Sequence, residues 1–221
     1  MQGNTISVRD SSAVLTTNKL IRNTYILLSM TLLFSALTAT LAIFLRLPPM
    51  TNLIATGGAL VLMWFVLPRT ANSSKGIGVV FATTGLLGLG LGPLLSMYLS
   101  MPNGPQVVAT ALGGTGAIFL GLSGYALTTK KDFSFLGGFL FTGFIIVLLA
   151  SLLNIFLGIP ALGLTVSAAV IMIMSGFLLY QTSAMIHGGE TNYIMATIGL
   201  YVTILNLFTS LLHILGFASN E

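Results

Sequence analysis

Seven long apolar stretches, separated by short segments that hold nearly all of the charge, constrain this chain more than any other feature. They run roughly from Thr24 to Leu45, Leu53 to Leu67, Ile77 to Ser100, Gln106 to Thr128, Phe133 to Leu157, Ala161 to Ile186 and Tyr193 to Phe217. Most are about 20 residues or longer, the length a helix rising about 1.5 Å per residue needs to cross a hydrocarbon core about 30 Å thick. The expected fold is therefore all-α and integral to a membrane: a seven-transmembrane-helix bundle. The second stretch is short; it ends at Pro68, and its start is open as far back as Met50.

Orientation follows from the basic residues, which are enriched in cytoplasmic loops near the ends of spans. With the N-terminus in the cytoplasm, Arg9, Lys19 and Arg22 in the tail, Arg69 and Lys75 between the second and third spans, and Lys130 and Lys131 between the fourth and fifth all fall inside. Arg46 alone falls outside. Seven helices then place the C-terminus in the periplasm.

Composition closes off several function classes. A pI near 9.6 suits nucleic acid, but the positive charge is spread over three segments without a basic stripe, so it is a topology signal and no nucleic-acid partner is expected. With no cysteine, two histidines and four acids, there is no disulfide framework, no thiol chemistry and little to build a metal cage; neither metal nor cofactor is expected. The first span has about twice the usual apolar length of a signal peptide and no clear A-x-A site after it, so it is read as retained.

Organisation is simple: a flexible cytoplasmic tail over residues 1–22, then one bundle over residues 23–221. The tail carries Asn4-Thr5, Ser11-Ser12 and Thr16-Thr17-Asn18, too polar to bury a core. Fully extended it would reach roughly 70 Å. Loops on the far side are marked by proline at Pro48-Pro49, Pro102 to Pro105 and Pro160.

Twenty-five glycines, mostly inside the spans, describe how the helices meet. In lipid, small residues let backbones approach closely. Gly88-x-x-x-Gly92 in the third span and Gly113-x-x-x-Ala117-x-x-x-Gly121 in the fourth are expected to be packing faces, and Pro93 is expected to kink the third helix.

Gly121-Leu122-Ser123-Gly124 has the G-x-S-G form of rhomboid intramembrane proteases, with His213 available as a base. Topology argues against that pairing. The fourth span runs inward and the seventh outward, so Ser123 and His213 lie near opposite boundaries, far beyond the roughly 3 Å that activation of a serine requires. The chain is expected not to be an enzyme.

Ionisable groups inside membranes usually mark ion or proton pathways, and the spans contain essentially none. Their polar inventory is Asn154, Gln181, Thr203 and Asn206. Such groups bridge helices through hydrogen bonds worth about 0.6 to 2 kcal/mol but cannot titrate. The most distinctive sequence lies at the turn before the last span, His187-Gly188-Gly189-Glu190-Thr191-Asn192-Tyr193. Gly188-Gly189 supplies a reversal, and Thr191 or Asn192 can cap the last helix with Glu190 near its positive end. His187 and Glu190 are also candidates for a cytoplasmic recognition surface or a pH-responsive pair.

Leu127-Thr128-Thr129-Lys130-Lys131-Asp132-Phe133-Ser134-Phe135-Leu136-Gly137-Gly138, the run from His187 to Ile194, and the closing Leu215-Gly216-Phe217-Ala218-Ser219 resemble the Bax inhibitor-1 family of transmembrane BAX-inhibitor-motif proteins, and within it the bacterial branch called YccA. The resemblance covers nearly the whole chain. It implies a bundle in which six helices surround a central last helix, in the inner membrane of a Gram-negative bacterium.

Two functions attach to that resemblance. One is binding to and modulating the membrane-anchored ATP-dependent protease FtsH, with its associated membrane regulators as further partners. The alternative is a calcium-permeable leak. Family members that leak calcium in a pH-dependent way carry two aspartates whose matching positions here are Gln181 and Thr203, beside Asn206. These three form the candidate polar site. Without the carboxylates the proton-sensing pair cannot exist in that form.

Overall fold

In a computed structural model, residues 3–219 are described, with side chains from residue 15 onward. The helices are α1 (Gly3–Phe44), α2 (Met50–Thr70), α3 (Lys75–Leu99), α4 (Gly104–Thr129), α5 (Leu136–Leu157), α6 (Pro160–Ile186) and α7 (Tyr193–Ala218). All seven are long and apolar enough to cross a membrane, α1 through its portion Leu15–Phe44. The tail assigned to residues 1–22 lies mostly outside the residues whose side chains are described; from Gly3 its backbone is helical and continuous with α1.

The second helix begins at Met50, the earliest start the sequence left open. The fifth begins at Leu136, not Phe133, because Asp132 Oδ1 accepts the Ser134 N–H at 2.8 Å and turns the chain before the helix starts. In α2 the turn Leu62–Val66 is a π-helix, closed where the Leu67 N–H reaches the Leu62 carbonyl. Pro68 follows at once; the widened turn gives its ring room where a regular α-turn would clash.

The last helix is central, as the resemblance implies. α7 packs on α1, α3, α4 and α6, so four helices rather than six form its immediate shell; α2 packs on α3, and α5 on α6, outside that shell. Half of α7's most apolar window is buried, against 11% for α5. Tyr201, Leu200, Leu207 and Leu212 of α7 are among the most fully buried side chains. The Tyr201 hydroxyl meets Ser35 Oγ of α1 at 2.5 Å and donates to the Thr84 carbonyl of α3 at 3.4 Å, fastening three helices at the middle of the bundle.

The two small-residue stripes part company. A Cβ at Gly88 would collide with Ser35 and Thr38, and one at Gly92 with Ala42, so α3 lies against α1 through its glycines. Nothing lies within 4 Å of a Cβ built at Gly113 or Gly121, and with Ala117 they face outward. The expected packing face on α4 is thus absent among the described residues. It borders lipid. Helix α3 stays one helix through Pro93, and Asn52 Nδ2 of α2 donates to the nearby Gly90 carbonyl at 2.8 Å.

Candidate functional site

Helix order puts the 71–74, 130–135 and 187–192 connections at one end of the bundle, with Arg22, Arg69, Lys75, Lys130 and Lys131 around them. We call this the basic end. Its connections are tied to one another by side chains, which makes it a constructed surface and not three independent turns.

Asn192 is the first tie. Its backbone is extended, and its Oδ1 accepts the N–H groups of Ile194 (2.8 Å) and Met195 (3.2 Å), capping α7. The same side chain donates through Nδ2 to the Ala71 carbonyl (3.0 Å) and to Asn72 Oδ1 (2.8 Å), joining the turn before α7 to the turn after α2. Ser183, buried near the end of α6, is the second. Its Oγ accepts the Phe133 N–H at 2.9 Å and donates to the Lys131 carbonyl at 3.3 Å, joining α6 to the loop before α5.

The structure places His187 and Glu190 on this surface but gives them different partners. Glu190 Oε1 accepts the N–H groups of Thr191 (2.8 Å) and Asn192 (2.7 Å), so its charge settles on the start of α7, where the helix dipole favours it. His187 Nδ1 lies 3.0 Å from the Ser183 carbonyl and 3.3 Å from Ser183 Oγ. The Ser134 backbone N–H, and after it the Ser134 side chain, hold the Asp132 carboxyl below its ordinary range, with a smaller contribution from nearby His187. Gly188, at φ +80, makes the reversal between the two helices.

The three polar positions within the membrane are only partly brought together. Gln181 Nε2 donates to Thr203 Oγ1 at 3.1 Å, while the Thr203 hydroxyl is 2.9 Å from the Gly199 carbonyl. Gly199 leaves room for the amide: a Cβ there would meet Gln181 Nε2 at 3.4 Å. Asn206 instead donates to its own helix at the Val202 carbonyl, 2.8 Å away. The result is an uncharged clamp between α6 and α7. Among the described residues no three His, Cys, Asp or Glu side chains gather as metal ligands.

Ser123 and His213 are not partners. His213 Nδ1 lies 2.8 Å from Ser167 Oγ at the end opposite the basic one, while Ser123 Oγ is buried without a hydrogen-bond partner. Sequence reasoning named Asn192 as one of two possible caps but missed that it also bridges two loops. It missed Ser183 and Asp132 as well. The Asp132-x-Ser134 spacing of an Asx turn was the available signal for the last.

The sequence pattern of the Bax1-I family, described as inhibitor of apoptosis-promoting Bax1, matches residues 17–220. The chain belongs to this family. Among its relatives, the modulator of FtsH protease YccA of Escherichia coli K12 is 52% identical over 215 residues, 97% of either chain. A membrane protein of Vibrio cholerae is 51% identical over 207 residues, 94% of this chain and 93% of its own. The same protein in another Escherichia coli strain is named inner membrane protein YccA. This Bax1-I member is accordingly a seven-span inner-membrane protein, and its family and relatives point to a regulatory membrane protein rather than an enzyme.

Proposed function

We propose that this protein binds the membrane-anchored protease FtsH and restrains it, with the basic end and the N-terminal tail in the cytoplasm and the C-terminus in the periplasm. The observation that carries the reading is the 52% identity, over 97% of both chains, to a protein named as a modulator of that protease. The charge distribution supports the orientation.

The physical basis is a contrast between a segment that can be seized and a body that resists extraction. A protease that pulls proteins from the membrane needs a handle, and the first 22 residues supply one. Behind it, α1 is locked to α3 through Gly88 and Gly92 and to α7 through Ser35 and Tyr201. Pulling on α1 therefore works against the center of the bundle, and the protease would be occupied by a slow substrate that competes with others.

Deleting residues 2–15 tests the handle: the truncated protein should still insert, and its own FtsH-dependent turnover should cease. Unchanged turnover would remove the tail from the account. Co-purification with a proteolytically inactive FtsH tests the contact itself. A calcium leak is the alternative reading; here it would rest on the uncharged Gln181–Thr203 clamp in place of an acidic pair.

A further inference from the structure

Three hydroxyls in the described part of the bundle, Tyr25 Oη of α1, Ser123 Oγ of α4 and Thr182 Oγ1 of α6, are buried without any hydrogen-bond partner. Ser123 and Thr182 are 3% and 0% exposed, so neither side chain is turned toward lipid. A buried hydroxyl left unpaired costs about 1 to 3 kcal/mol, and three on neighbouring helices ask for a common explanation.

The explanation lies one helical turn away. A crevice of about 510 Å³ opens at the basic end between α1, α4 and α6, and its lining includes Ile21, Leu127 and Ile186. Each orphan hydroxyl stands four residues deeper on the same helix: Tyr25 from Ile21, Ser123 from Leu127, Thr182 from Ile186. Spacing of four keeps a residue on the same face, about 6 Å further along the axis. The three residues thus follow the crevice wall one turn deeper without lining the crevice itself, and its rim carries Arg22 and Lys130, with Asn18 beside them. The C-terminal ends of α4 and α6 also face this end, but each carries at most about half a negative charge, against two full positive charges on the rim. The rim favours an anion.

A second crevice lies further along α1 and α4. α1 and α4 do not pack backbone to backbone, and the gap is bridged by the rings of Tyr25 and Phe119, 5.9 Å apart. Beyond that bridge an apolar crevice of about 420 Å³ is lined by Leu32, Ser35, Leu112 and Phe119 among others. Leu112 and Ala36, both on its walls, are exposed, so it is open sideways to lipid. Arg22 and Ser35 are thirteen residues apart on α1, about 20 Å along the axis. One leaflet contributes about 15 Å of hydrocarbon.

We propose that the α1/α4 gap is a binding site for one anionic phospholipid of the leaflet at the basic end. Its phosphate lies between Arg22 and Lys130, its ester oxygens approach the hydroxyls one turn deeper, which must turn toward the crevice to donate to them, and an acyl chain passes the Tyr25–Phe119 bridge into the apolar crevice. An anionic group held by two cations and an apolar tail in the second crevice match both ends of the path. A free phosphate matches only one.

Native mass spectrometry of the delipidated full-length protein tests this, with phosphatidylglycerol, phosphatidylcholine of the same chain length, and inorganic phosphate as probes. One phosphatidylglycerol should be retained more tightly than any that follow and more tightly than phosphatidylcholine. Arg22→Gln with Lys130→Gln should weaken that first adduct by roughly fivefold per cation, about 25-fold together. Lys19→Gln with Lys131→Gln removes the same charge from the same end without touching the crevice, and should leave the first adduct intact. Ser123→Ala should weaken it less. The proposal is overturned if both double variants lose lipid equally, if phosphatidylcholine is held as well as phosphatidylglycerol, or if millimolar inorganic phosphate displaces the lipid.

Discussion

On α3, Gly88 and Gly92 lie beneath α1, with Ser35, Thr38 and Ala42 where their side chains would be; on α4, Gly113, Ala117 and Gly121 repeat the spacing and meet no other helix. Close approach in lipid depends on which partner a small-residue face finds, and the bundle gives α3 one and α4 none. The same division runs through the whole molecule. α1, α3 and α7 are joined through glycine contacts and the Tyr201 hydrogen bonds, while α2 and α5 stand outside with one main neighbour each.

The largest effect should therefore come from filling the buried stripe. Gly88→Leu or Gly92→Leu drives a side chain into α1 backbone and should cost at least about 3 kcal/mol, the upper part of the usual overpacking range, because a backbone cannot yield as a side chain does. Thermal unfolding in mild detergent reads this. Gly113→Leu and Gly121→Leu on the open stripe should stay within about 0.5 kcal/mol by the same measurement. Equal losses from the two stripes would break the comparison.

The two ends of the bundle sharpen it at a smaller scale. Asn192 caps α7 and ties two loops, whereas Asn103, at the start of α4 on the opposite end, makes no capping hydrogen bond with its side chain. Asn192→Ala should cost about 1 to 2 kcal/mol, and Asn103→Ala should fall within the ordinary scatter for surface changes. Hydrogen exchange should show loosening at residues 71–74 as well as at the start of α7 in the first variant.

Smaller still are the effects of pH. The Gln181–Thr203 clamp has no proton to exchange, so any calcium flux through the reconstituted protein should be flat between about pH 6 and 8. A clear acid or alkaline dependence would contradict the clamp's role. Asp132, outside the spans, is the one acid among the described residues held below its ordinary value of 3.8, first by the Ser134 N–H. A lowered folded-state pKa stabilises fully above the unfolded value and loses that contribution as pH falls through the lowered one. Asp132→Asn should slightly flatten the stability profile below about pH 4, and the effect should be small because the carboxylate is exposed and screened.

Much of the fold was legible because lipid demands length and polarity patterns that a chain cannot hide. The seven spans, the turn at Gly188 and the depth mismatch of Ser123 and His213 all follow from position along the chain. Which helices lie inside does not follow. α5 has a mean hydropathy of 2.5 and is 11% buried over its most apolar window, while α7 has 1.8 and is half buried. In a bilayer the outermost helix can be the most apolar, so hydrophobicity no longer marks the core. The outward stripe on α4 was misjudged for the same reason: spacing shows that a face is smooth, not what covers it. Of the candidate site, the pairing of Gln181 with Thr203 was foreshadowed only by family resemblance. The ties from Asn192 to Ala71 and from Ser183 to Phe133 span 121 and 50 residues, distances at which local patterns carry no signal.

The proposed restraint of FtsH combines a handle proposed in residues 1–22 with a core in which α1 meets α3 through Gly88 and Gly92 and would oppose extraction. The most direct measurement is the half-life of an established FtsH membrane substrate in cells with and without an excess of this protein. The account predicts a lengthened half-life, diminished when residues 2–15 are removed. An unchanged half-life at an excess confirmed in the membrane would contradict it.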